Sequence, residues 1–196
     1  MTMISTTEDG ALIETLWPSR NAASGMRGLR LAVLVAAGTV LMALSAKMQV
    51  PMWPVPMTMQ TFAVLVIGMA YGWRLGGLTL IAYLAEGAIG LPVFASGAGL
   101  AYMAGPTGGY LVGFAVAAVL VGWLGVRGWD RSVAGTLLAM TLGTAVIFGL
   151  GVGWLSTLIG FEAALANGLV PFLFGAVIKI ALAAAVLPFA WKLLRR

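Results

Sequence analysis

Neither cysteine nor histidine occurs in the 196 residues, and only 9% of them are charged. Without those two side chains there is no zinc site of ordinary type, no haem held by His or Cys, no iron–sulfur cluster, no disulfide and no His-based triad. Six acidic residues leave little for carboxylate-pair chemistry. No Gly-rich loop ending in Lys-Ser/Thr is present to hold ATP phosphates. An enzyme is therefore not expected, and neither a catalytic set nor a metal site is assigned. What the chain has is apolar surface: 61% of its residues are hydrophobic and its mean hydropathy is +1.03. A soluble domain averages about 45–50% apolar and about 25% charged residues. Too few charges remain to solvate a globular surface, so an all-α integral membrane protein is expected. The net charge of +5 comes from 11 basic residues that form no patch, which argues against a nucleic-acid partner.

A spanning helix needs about 20 mostly apolar residues. Charge-free windows give Leu31–Ala46, then Met48–Trp73 with a helix start pushed to about Thr58 by Pro51, Pro54 and Pro56. Leu75–Gly90 follows, then a helix from about Gly108 to Val126 beyond the Pro92–Pro106 breakers. Ser132–Phe161 holds the fifth helix, whose Gly149 and Gly153 have the spacing for close helix contact, and Val170–Leu194 is the sixth. Arg20, Arg27, Arg30, Arg74, Arg127, Arg131, Lys192, Arg195 and Arg196 fall on one side of this arrangement. The opposite connections, Val50–Met57, Leu91–Thr107 and Thr157–Leu169, carry no Lys or Arg. The positive-inside bias therefore places both termini in the cytoplasm. Residues 1–29 form a polar cytoplasmic segment in which Ala11–Trp17 is either an interfacial helix or part of a loose tail. Residues 30–196 form a six-helix membrane domain.

The outer loops are long, uncharged and rich in Pro, Gly and aromatics, which suits a lid or pocket wall for a small, mostly apolar ligand. Trp53, Phe94, Tyr102 and Tyr110 offer aromatic surface, with an interfacial belt as the alternative for any one of them. Thr58, Gln60, Ser96 and Thr107 offer hydrogen bonds. Lys179 falls in mid-span, where a charge costs at least about 2.5–3.5 kcal/mol and so normally faces a cavity or a partner. Glu86 falls at comparable depth, either as a ligand contact or as a packing partner of Lys179. Lys47, near the outer mouth, reads as a side chain that snorkels to water. Ala32 and Ala36 form a small-residue pair on the first helix, spaced for another helix to approach.

Three ordered motifs carry a family resemblance: Pro54-Val55-Pro56-Met57-Thr58-Met59-Gln60-Thr61-Phe62, Tyr83-Leu84-Ala85-Glu86-Gly87-Ala88-Ile89-Gly90-Leu91-Pro92-Val93-Phe94-Ala95, and Gly105-Pro106-Thr107-Gly108-Gly109-Tyr110-Leu111-Val112-Gly113-Phe114. With Pro171-Phe172-Leu173 and Lys179, this pattern resembles the BioY family, the biotin-specific S components of energy-coupling-factor (ECF) vitamin transporters. The resemblance implies a subunit in the cell membrane of a prokaryote. It would capture biotin at the outer face and work with a transmembrane coupling protein and cytoplasmic ATPases, holding no cofactor of its own. It also implies that Ala32 and Ala36 dock the coupling protein. The family's Gly-Asp-x-x-Lys run appears here as Gly175-Ala176-Val177-Ile178-Lys179, with the lysine kept and alanine at the carboxylate position. Gln60, a loop carbonyl or Glu86 is then expected to accept from the ureido N–H groups. An S component for a different vitamin and a scaffold without substrate are the alternatives.

Overall fold

The computed structural model describes residues 10–18 and 24–194. Arg20, Arg195, Arg196 and, in the polar 1–29 segment, residues 1–9 and 19–23 lie outside the described residues. The structure is helical: α1 (Leu12–Leu16), α2 (Ser24–Lys47), α3 (Gln60–Ala88), α4 (Gly99–Ala104), α5 (Gly108–Val126), α6 (Val133–Ile159), α7 (Phe161–Gly168) and α8 (Val170–Leu194). A two-stranded antiparallel ribbon, β1 (Gln49–Val50) and β2 (Met57–Thr58), is the exception, pairing Gln49 with Thr58 and Val50 with Met57. Among the described residues, five elements are long and apolar enough to cross a membrane: α2, α3, α5, α6 and α8.

As a straight helix, the 29 residues of α3 would be about 43 Å long, well beyond a hydrocarbon core of about 30 Å. The helix is broken at Gly72, whose φ of 81° and ψ of 171° belong to a region that only glycine adopts cheaply. The chain reverses there. The Gln60 side chain donates to the Tyr83 hydroxyl at 2.7 Å, which a continuous helix would place about 35 Å away. The two arms meet through glycines, since a Cβ built on Gly76 would lie 3.0 Å from the Gly68 Cα. Helix α5 seals the reversal through Gly122, whose Cβ would come within 2.6 Å of the Gly72–Trp73 backbone. Side chains such as Leu65, Met69, Phe114, Val121 and Ile147 then fill the core between α3, α5 and α6.

Gly149 and Gly153 depart from expectation. A Cβ on either would meet nothing within 4 Å, so they make no close helix contact. The intimate contacts of α6 run instead through Gly143 against Leu65 and Gly151 against the Tyr110 ring. Spacing alone does not say which glycine faces a neighbour, and these two point into an open groove between α6 and α8.

The end of the bundle that holds the Gly72 reversal also gathers Arg27, Arg30, Arg74, Arg127, Arg131 and Lys192. Here α1 is a packed helix rather than a loose tail, with Ala11 and Leu12 buried and Glu14 paired to Arg30 at 2.8 Å. Asp130, fully buried between α5 and α6, accepts from the Trp191 indole at 2.5 Å and ties α8 to that turn.

Replacing Gly72 with alanine is expected to cost about 1–3 kcal/mol through backbone strain. Gly149→Ala is expected to be neutral or stabilising, because nothing crowds the new methyl and alanine favours the helix. Thermal unfolding midpoints of the purified variants in detergent check both.

Candidate functional site

Lys179 is the tenth residue of α8, about 14 Å along the helix axis from Val170. At that depth an ammonium group needs acceptors, and the structure provides two. Its Nζ donates to the Thr58 carbonyl at 2.5 Å and to the Thr61 hydroxyl at 3.0 Å. Both acceptors come from one place, where β2 ends and α3 begins. The prolines of the preceding loop stop any earlier helix, so the chain enters α3 from an extended ribbon with the Thr58 carbonyl free to face α8. The Thr58 hydroxyl accepts the Gln60 backbone N–H at 3.2 Å and lies 3.3 Å from Gln60 Oε1. The two donors of an ammonium group that these bonds use leave a third for a ligand.

Around Lys179 is a pocket of about 470 Å³, counted out to its open mouth. Thr58, Gln60, Thr61 and Thr107 supply its polar lining. Tyr110, Phe114, Phe148 and Phe172 supply aromatic walls, and Val55, Pro56, Ala95 and Ala176 complete it. Phe172 stands between Tyr110 and Phe148, with ring centroids 6.4 and 6.2 Å away. The Tyr110 hydroxyl is spent on the Gly168 carbonyl at 2.7 Å, so this residue faces the pocket as an aromatic surface. Gln60 is buried and held from both sides, by Thr58 and by Tyr83.

The structure thus brings Lys179, Gln60, Thr58, Thr107 and Tyr110 together at one pocket and places the other sequence candidates elsewhere. Trp53 and Tyr102 line an adjoining outer depression that shares Pro56 and Thr107 with the pocket. Phe94 is fully buried, in edge contact with Tyr83 and stacked on Tyr102, with its ring over Gly87 where a Cβ would not fit. It supports the wall and does not line it. Glu86 is not at the pocket and, among the described residues, makes no ion pair with Lys179. Glu86 is half-buried on α3, next to Gly87, whose face is covered by the Phe94 ring. Ala32 and Ala36 are exposed on α2.

Thr61, Phe114, Phe148 and Phe172 are pocket residues not anticipated from sequence. Phe172, Ala176 and Lys179 follow i, i+4, i+7 spacing, and Tyr110 and Phe114 follow i, i+4, so helical periodicity carried a signal for two of them. Lys47 is exposed, as a snorkelling side chain would be, and also has a partner on the protein: its Nζ donates to the Phe94 carbonyl at 2.7 Å. The Val93 carbonyl accepts from the Tyr83 hydroxyl at 2.9 Å and the Ala95 carbonyl from the Gln49 amide at 3.2 Å. Three successive carbonyls of the loop beside the pocket are each held by a different side chain. Because the side chain is exposed, removing its donor with Lys47→Met is expected to cost only about 0.5–1.5 kcal/mol. Cleavage of residues 91–98 by a protease should then be faster than in the wild type, with Lys47→Arg close to it.

Sequence and structure comparisons agree with this architecture. The family model described as the BioY family matches residues 18–196. A "probable biotin transporter BioY" of Pyrococcus horikoshii is 38% identical over 78% of this chain and 91% of its own length. The "biotin transporter BioY" of Thermotoga maritima is 37% identical over 78% and 92%. The "biotin transporter BioY" of Rhizobium etli is 36% identical over 81% and 89%. Among solved structures, the S-component for biotin from an ECF-type ABC transporter superposes with a TM-score of 0.76 at 25% identity, covering 87% of this chain and 95% of that one. On the extent of the family match and the identity of these relatives, the chain belongs to the BioY family.

Proposed function

We propose that this protein is the high-affinity biotin-binding subunit of an ECF-type uptake transporter in a prokaryotic cell membrane. The reading rests on the anchored Lys179 ammonium beside Thr58 and Gln60 in an otherwise aromatic pocket. Biotin carries a cyclic urea with a carbonyl and two N–H groups, an apolar thioether ring and a carboxylate tail. The unused donor of Lys179 suits the ureido carbonyl, and Gln60 Oε1 suits an N–H, the role that the family's missing carboxylate at Ala176 leaves open. The bicyclic ring then rests against Phe172 and Tyr110, and the tail extends toward the depression lined by Trp53 and Tyr102. An unpaired buried donor costs about 1–3 kcal/mol, so this matching of donors and acceptors separates biotin from ring systems of similar size.

The two arms of α3 count as separate spans in this reading, giving six, with the basic end of the bundle in the cytoplasm by the positive-inside rule. The pocket then opens outward, between the ribbon and the 91–107 loop. Ala32 and Ala36 are exposed near the inner end of α2, where a transmembrane coupling protein would pack, and ATP would be hydrolysed by partner ATPases. This chain contributes capture and orientation and no catalysis.

Purified full-length protein should be stabilised by biotin and not by other vitamins. At a hundred times the dissociation constant, the unfolding midpoint should rise by about 5–10 °C. A shift for another vitamin alone would make this an S component of different specificity, and no shift for any would favour a scaffold. Ala32→Trp and Ala36→Trp should abolish uptake by the assembled transporter while leaving biotin binding unchanged, as read by radiolabelled uptake and equilibrium binding.

A further inference from the structure

Gln60 can serve as an acceptor only if its amide stands one way round, and the structure contains the group that decides this. The Val93 carbonyl can only accept, so the Tyr83 hydroxyl, 2.9 Å away, must spend its one proton there. Towards Gln60, at 2.7 Å, the same hydroxyl can then only accept, which requires the NH₂ of the amide on that side. Oε1 is left on the Thr58 side, 3.3 Å from the Thr58 hydroxyl, where Lys179 is also anchored. A flipped amide would set acceptor against acceptor at Tyr83 and bring a second donor toward the ammonium. Tyr83 is fully buried, its ring is packed edge-on against Phe94, and it does not line the pocket, so it acts on a ligand only through Gln60.

We infer that Tyr83 is a positioning residue for specificity: through the Val93–Tyr83–Gln60 relay it fixes the Gln60 amide with its oxygen toward the ligand, and so selects ring systems that present N–H groups. This rests on the reading that the ureido ring of biotin sits between Gln60 and Lys179. It also assigns the segment 93–95 a second role, because the loop carbonyl that anchors the relay belongs to the clamped stretch beside the pocket.

The test compares dissociation constants of full-length protein for biotin and for the isostere whose two ring N–H groups are replaced by oxygen, a cyclic carbonate of nearly the same shape. Wild-type protein should prefer biotin strongly. Tyr83→Phe keeps the ring but frees the amide to turn, and the preference ratio should narrow by about tenfold. A loss of stability alone weakens both ligands together and leaves that ratio where it was. Gln60→Met, which removes the oxygen without touching Tyr83, should narrow the ratio at least as much and decides the matter if Tyr83→Phe does not fold. An undiminished preference for biotin in either folded variant overturns the inference while leaving biotin binding established. Wild-type protein that binds neither compound would overturn the biotin reading and this inference together.

Discussion

A lysine ammonium within a spanning helix must meet oxygen atoms that its own helix cannot offer, since intrahelical carbonyls are already bonded. In this protein the demand is met across the bundle by the Thr58 carbonyl and the Thr61 hydroxyl. That single requirement places the start of α3 against the middle of α8. The prolines between Pro51 and Pro56, the short ribbon and the helix start at Gln60 are what leave a carbonyl available there. The pocket forms around this junction because two elements drawn together by a charge leave space beside it, and aromatic side chains from α5, α6 and α8 shape that space.

The supporting frame is built from close glycine contacts. The reversal at Gly72 returns the chain so that Tyr83 stands opposite Gln60, and Gly68, Gly76 and Gly122 let the two arms and α5 approach to backbone contact. Between helices in lipid, association depends on packing and interhelical hydrogen bonds, and small residues are how backbones get near enough for both. At the pocket end the same economy operates with polar groups: Lys47, Gln49 and Tyr83 each take one carbonyl of the loop that carries Phe94 and Ala95.

Much of this was legible in the sequence. The helices Gly108–Val126 and Val170–Leu194 fall where charge-free windows and breakers put them, and Lys179, Gln60 and Thr58, singled out by charge cost and motif, line one pocket. The limits are equally physical. Gly149-xxx-Gly153 has the spacing of a contact motif and faces a groove, because small residues permit an approach without requiring one. Glu86 was legible as a charge at the right depth, but not as one that stays outside the pocket. The Lys47 hydrogen bond was not legible because its partner, the Phe94 carbonyl, is 47 residues away and a backbone atom, which no side-chain pattern reveals.

The most direct measurement is the biotin dissociation constant of full-length Lys179→Met protein in lipid nanodiscs, beside the wild type. Removing a charged hydrogen-bond donor from the site should weaken binding by about 10–100-fold, in a variant that still unfolds cooperatively. An unchanged affinity in such a folded variant would contradict the account, because it would mean that the anchored ammonium does not touch the ligand.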